Sequence, residues 1–140
     1  MAPVAGWIAA TGVFSWEPFL LGLAVLFWVA GFDILYSLLD MDFDRAHGLH
    51  SVPAEFGRER ALEISRWSHA VTVFFLALFA LPLGLGLIYW VGLSVVAGLL
   101  ALEHGIVGEG EPSKINTTFF TINGWIGILL LIFTFLEIYK

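Results

Sequence analysis

The sequence predicts an all-α protein, a multi-span transmembrane helix bundle with four full spans and a partial helix ahead of them. Three observations predict it. Hydrophobic residues make up 59% of the 140-residue chain and charged residues 13%, against about 45–50% and about 25% in soluble domains. The apolar residues gather in long uncharged runs, and mean hydropathy is +0.91. The polar stretches between the runs hold Arg45, Arg58, Arg60, Arg66 and Lys114, five of the six basic residues. A single core of this size cannot hide so many apolar side chains from water. A disordered chain is excluded, because that needs low hydrophobicity and high charge. A net charge of −6 excludes a nucleic-acid partner. With no Cys, disulfides, thiolate catalysis and Cys-ligated zinc are excluded.

The elements follow in order. Pro3 to Val13 is apolar but too short to cross a bilayer, and no basic residue precedes it as in a signal peptide. It reads as the last half of a helix, ended by Thr11-Gly12. The first span is Pro18 to Phe32, continuing past Asp33 to Leu39. Ser68 to Leu102 carries no charge over 35 residues, about 52 Å of helix. A crossing needs only about 30 Å. Pro82, Gly84 and Gly86 mark a turn at its middle, which predicts one helix from about Arg58 to near Leu83 and another from about Leu85 to Leu102. The last span is Ile115 to Leu136. The chain is expected to form one membrane domain, residues 1–140, with polar loops at about 41–67 and 103–117. Alternation places both loops on one side, and their basic residues make that side cytoplasmic, since Glu103, Glu109 and Glu111 weigh little in that rule. The expected location is the inner membrane, with the bilayer as a partner.

The chemistry concentrates in Asp33-Ile34-Leu35-Tyr36-Ser37-Leu38-Leu39-Asp40-Met41-Asp42-Phe43-Asp44. On one continuous helix, Asp33, Tyr36, Asp40 and Asp44 fall within about 80° of each other and Asp42 points away. An Asp inside a span costs roughly 2.5–3.5 kcal/mol at the centre and less toward the interface. Carboxylates at i, i+4 also repel. A divalent cation offsets both terms, and hard oxygen ligands suit Mg²⁺, which takes one or two carboxylates plus substrate phosphates. A wet helix end is the plainer explanation for an isolated Asp, but an intramembrane carboxylate points to function. An EF-hand is excluded, because Arg45 and Ser51 stand where its Gly and final Glu belong.

The string Asp33-x-x-Tyr36-x-x-x-Asp40-x-x-x-Asp44, followed by Gly48-Leu49-His50-Ser51-Val52-Pro53-Ala54-x-Phe56-Gly57, resembles the second aspartate-rich motif of the UbiA-type membrane prenyltransferases. It is closest in pattern to the quinone branch, ubiquinone or menaquinone, which includes 4-hydroxybenzoate polyprenyltransferases. Phe119-Phe120-x-x-Asn123 resembles that branch's last helix, and Ala2 to Ala9 its fifth. The family's first motif, Asn-Asp-x-x-x-Asp, does not occur here, so the chain is expected to be the C-terminal half, inactive alone and partnered by a missing N-terminal half. The resemblance implies transfer of a polyprenyl group from polyprenyl diphosphate to an aromatic acceptor such as 4-hydroxybenzoate. It implies Asp40 and Asp44 as Mg²⁺ ligands, with Asp33 and Tyr36 catalytic and substrate-binding deeper in the cavity.

Arg45 is a candidate diphosphate-binding residue, with Arg58, Arg60 and Lys114 behind it, though each also serves as a positive-inside anchor. His47 and His50 read as solvated loop residues. His69 and His104 read as interfacial, Asn123 as a cross-helix hydrogen bonder, and Gly22, Gly31, Gly92 and Gly98 as close-packing positions. The competing readings are a cation transporter or channel subunit, or a membrane fragment without function. A transporter would continue its polar residues through the span, whereas Leu20 to Phe32 has none.

Overall fold

The computed structural model describes residues 2–108 and 112–140, without the side chains of 112–114 and 117–119. Glu109, Glu111, the Lys114 side chain and the Phe119 ring, all singled out above, lie outside the described residues. Seven helices follow one another: α1 (Ala2–Thr11), α2 (Glu17–Ser37), α3 (Met41–His47), α4 (Val52–Phe56), α5 (Arg58–Ala80), α6 (Leu87–Gly108) and α7 (Pro112–Ile138). Length and composition suit four of them for crossing a membrane: α2, α5, α6 and the Phe120–Ile138 part of α7. The expected all-α multi-span bundle is what the chain forms.

Local chemistry sets the boundaries. Pro18 sits in the first turn of α2, where a missing N–H costs nothing. The 81–86 turn closes with Leu85 N donating to Ala80 O (3.1 Å), so the expected Pro82-Gly84-Gly86 break does separate two spans. Ser51 caps α4, its Oγ accepting from Ala54 N (3.4 Å). Gly48 (φ 67°) and Gly57 (φ 82°) take left-handed backbone, which side-chain-bearing residues there would resist. They end α3 and α4 and turn the chain into α5.

Two segments expected as loops are shorter than the charge pattern suggested. Residues 41–67 hold α3, α4 and the first ten residues of α5, while α6 runs on to Gly108 and α7 begins at Pro112. The physical reason is apolar packing below the charges. Ala61, Leu62, Val107 and Ile115 pack with Leu35 and Leu38 of the α2 end, which holds these helix ends together despite their polar surface.

Arg58 Nη2 donates to Val107 O (2.8 Å), tying the start of α5 to the end of α6. At the other end, Glu137 Oε2 accepts from Ile88 N (3.1 Å) and so caps α6 from α7, with Lys140 paired to Glu137. The aspartate segment therefore shares one end of the bundle with Arg58 and Val107.

Apolar layers fill the bundle: Ala24, Leu76, Ala80, Tyr89 and Leu93 in one, Val96, Leu100, Ile122 and Ile126 in another. Inside a bilayer such layers gain packing rather than escape from water, so small residues and polar ties decide the register. Gly31 and Gly92 act as expected. A Cβ at Gly31 would overlap the His69 ring, and one at Gly92 would overlap Phe133. Ser65 Oγ also donates to Gly31 O (2.7 Å), fixing α5 to α2 at that turn. Gly98 meets nothing, so it is not a packing position among the described residues, and Gly22 lines the groove between α1 and α2.

Candidate metal and active site

Leu35 and Leu38 are buried toward α5, and Gly31 faces His69. The remaining side of α2 is turned out of the bundle. It carries Asp33 and Tyr36, both exposed. Asp33 and Tyr36 continue a stripe that begins with Gly22, Leu26 and Val29, all within one helical face. Those three residues, with Ala2, Pro3, Leu23 and Val25, line a groove of about 290 Å³ between α1 and α2. It is apolar along its length, and its last α2 residue, Val29, stands one helical turn before Asp33.

The aspartate ladder is not one continuous helix. Leu38, Leu39 and Asp40 donate to the carbonyls three residues back (3.3, 3.0 and 3.2 Å), a tightened turn that ends α2. Asp40 then stands as the N-cap residue of α3, with its side chain making no capping bond. The one-face argument across Asp33, Tyr36, Asp40 and Asp44 therefore does not hold as stated, because the helical phase is reset at residues 38–40. Each pair keeps its own phase: Asp33 with Tyr36 on α2, and Asp40 with Asp44 one turn apart at the start of α3, where Asp44 N donates to Asp40 O (2.8 Å). Asp42 still lies on the other side of α3 from Asp40 and Asp44. Among the described residues no three His, Cys, Asp or Glu converge to hold a metal ion.

Arg45 follows Asp44, and part of its guanidinium is committed to α4. Its Nε donates to Ala54 O (3.0 Å) and Nη2 to Pro53 O (3.3 Å), so it holds α3 to α4. His47 stacks on Phe43 with ring centroids 4.0 Å apart. His50 pairs with Glu55 at the exposed surface. Neither histidine joins the aspartates.

The structure also brings together a cluster that sequence reasoning took apart. His69 and His104, expected at the interface, are buried, with His69 Nδ1 and His104 Nε2 sharing a hydrogen bond (3.0 Å). Glu103 is 1% exposed. Its Oε1 accepts from Asn123 Nδ2 (2.7 Å) and its Oε2 lies 3.8 Å from His69 Nδ1. Asn123 Oδ1 in turn accepts from Trp28 Nε1 (2.9 Å). Five side chains on α2, α5, α6 and α7 thus form a polar cluster of two hydrogen-bonded groups, Trp28–Asn123–Glu103 and His69–His104, set 3.8 Å apart. The expected cross-helix role of Asn123 holds. Glu103 beside His104, at the end of an uncharged run, was the available signal for the rest.

Residues 1–134 match the UbiA prenyltransferase family. The chain is 30% identical over 114 residues to a 4-hydroxybenzoate octaprenyltransferase of Chromohalobacter salexigens, covering 81% of this chain and 38% of that protein. It is 32% identical over 130 residues to one from Xanthomonas oryzae, covering 93% of this chain and 39% of that protein. A third, from Paraburkholderia phymatum, is 31% identical over 105 residues, 75% of this chain and 36% of that protein. The chain thus spans less than half the length of the curated relatives it matches. No solved structure matches it at a significant level.

The polar cluster generates a prediction. Asn123→Leu leaves the Trp28 N–H and the Glu103 carboxyl without their partners, at a cost of about 1–3 kcal/mol per orphaned group. Thermal unfolding in detergent should show a clear loss for Asn123→Leu and almost none for Ser94→Ala, whose exposed hydroxyl only bonds its own helix at Trp90 O. Equal melting of Asn123→Leu and the parent chain would show that the tie carries nothing.

Proposed function

The chain belongs to the UbiA prenyltransferase family, and we propose that it supplies the metal–diphosphate face of an enzyme that transfers a polyprenyl group from an allylic diphosphate to an aromatic acceptor such as 4-hydroxybenzoate, for quinone synthesis. The observation that supports this most is the outward face of α2. An apolar groove along it ends at Val29, one helical turn before Asp33 on the same face, and Tyr36 and the Asp40–Asp44 pair follow.

The donor set fits Mg²⁺. Asp40 and Asp44 offer hard oxygen ligands one turn apart, and among the described residues neither carboxylate is held by a hydrogen bond or an ion pair. Two carboxylates with phosphate and water completing the shell are usual for this ion. When bound, Mg²⁺ supplies Lewis-acid stabilisation of charge on the departing diphosphate. Without a cation, the two aspartates would repel that diphosphate. The apolar groove takes the prenyl tail and keeps water from the allylic cation. Asp33 positions the reacting head, and the Tyr36 ring offers π-density to the cation. The acceptor's electron-rich ring then attacks the allylic carbon and loses a ring proton. Arg45 contributes its remaining guanidinium donors toward the diphosphate while its other N–H groups hold α4. The chain carries one aspartate-rich motif, so the opposite clamp is to be supplied by a separate segment, and the chain by itself is proposed to be inactive.

In an enzyme completed by both motifs, Asp40→Asn or Asp44→Asn should lower the prenylation rate by roughly 10²-fold, several kcal/mol of leaving-group stabilisation at about 1.4 kcal/mol per tenfold. Excess Mg²⁺ should recover part of that loss, and Asp42→Asn should change little. Equal losses at all three positions, or none, would overturn the assignment of Asp40 and Asp44.

We further propose that the aspartate end faces the cytoplasm, since Arg45, Arg58, Arg60 and Arg66 all lie toward it. A cysteine placed at Glu59 should resist membrane-impermeant thiol reagents in intact cells, and one at Ser15 should react. The opposite pattern inverts the orientation.

A further inference from the structure

The hydrogen-bonded His69–His104 pair borders a groove between α5 and α6. Arg66, His69, Ala70 and Val73 on α5, with Ala97, Leu100, Ala101 and His104 on α6, line an open groove of about 520 Å³. That is within the usual range of about 300–1,000 Å³ for small-molecule sites. None of these residues belongs to the aspartate segment or to the α1–α2 groove. Both helices contribute residues at the spacing i, i+3, i+4, i+7, one face of each. Because α5 leaves the Arg58 end and α6 returns to it, the polar members coincide. Arg66, His69 and His104 lie toward that end, and Ala70, Val73, Ala97 and Leu100 lie deeper in the span. The space exists because Ala70, Ala97 and Ala101 stand where larger side chains would fill it.

The charge of the groove is one-sided. Arg66 has no ion pair among the described residues. Glu103 does not line the groove. It lies beside His69 and is held by Asn123. His104 lines the groove and is 8% exposed, with its buried Nδ1 making no hydrogen bond among the described residues. Arg66 is eight residues into α5, about 12 Å from its start, a depth from which a long guanidinium side chain reaches the headgroup level.

We propose that the α5–α6 groove is a binding site for an anionic phospholipid, its phosphate against Arg66 and His104 and one acyl chain along Ala70, Val73, Ala97 and Leu100. The occupant follows from the layout. A water-soluble anion has no use for the apolar wall, and a neutral lipid has none for an unpaired guanidinium. The bilayer itself supplies a negative head joined to an apolar tail. The site is independent of prenyl transfer and stands or falls without it.

The test is native mass spectrometry of the full chain in detergent, given equal amounts of phosphatidylglycerol and phosphatidylcholine with the same acyl chains. The parent chain should retain phosphatidylglycerol over phosphatidylcholine by about fivefold, the worth of one basic residue against an anionic headgroup. Arg66→Gln should abolish that preference. Arg60→Gln, one exposed cation outside the groove, should leave it intact. Ala70→Leu, which fills the groove on an exposed position, should lower phosphatidylglycerol retention with circular dichroism unchanged. Absence of a preference in the parent chain overturns the proposal. So does an equal effect of Arg60→Gln and Arg66→Gln, which would mean generic interfacial charge. Full retention in Ala70→Leu also overturns it, because the acyl chain would then lie elsewhere.

Discussion

The structure depends on the need to satisfy polar groups where there is no water to do it. Trp28, Asn123, Glu103, His69 and His104 come from four different spans and form two hydrogen-bonded groups, Trp28–Asn123–Glu103 and His69–His104, that lie side by side. An unpaired carboxylate or indole N–H in this position costs energy that no apolar contact returns. Between lipid-soluble helices, leucine against leucine gains little over leucine against lipid. The polar cluster is therefore what distinguishes this arrangement of α2, α5, α6 and α7 from other ways of stacking the same apolar surfaces. Gly31 belongs to the same constraint, because only a residue without a Cβ lets α2 lie against the His69 ring.

That constraint orients the chemistry. With Trp28 and Gly31 held inward and Leu35 and Leu38 packed at the helix end, one side of α2 is left for Asp33 and Tyr36. The tightened turn at 38–40 then starts α3 at Asp40, and Arg45 braces α3 against α4. The polar residues of this protein thus divide by physical role. Those inside the bundle are tied to one another through at least one hydrogen bond each and determine packing. The aspartates outside it have no side-chain partner among the described residues, and in the proposed reaction a cation and a diphosphate complete them.

Much of this was legible in the residues. Long uncharged runs, interrupted at Pro82, Gly84 and Gly86, gave four spans with boundaries close to those observed, because helix length and Pro/Gly chemistry are local properties. The aspartate string carried the family resemblance that residues 1–134 bear out. The continuity of the helix through it was not legible, since Leu38 and Leu39 favour helix locally and the break reflects packing of Leu35 and Leu38 against Ala61, Leu62 and Val107. His69 and His104 were misplaced for a related reason. Each stands near a charged stretch, and only the fold brings together two rings 35 residues apart. Charge likewise marked loop limits too generously at 41–67 and 103–117, where buried neighbours extend the helices.

The central claim is that internal ties turn one face of α2 and the start of α3 outward to form the site. Cysteine scanning from Val29 to Asp44 in the membrane-embedded chain, read as the labelling rate with a water-soluble thiol reagent, tests it most directly. The account predicts fast labelling at 33, 36 and 40, protection at 31, 35 and 38, and a change of period across 38–40. Uniform labelling, or protection at 33 and 36 with reaction at 35 and 38, would contradict it.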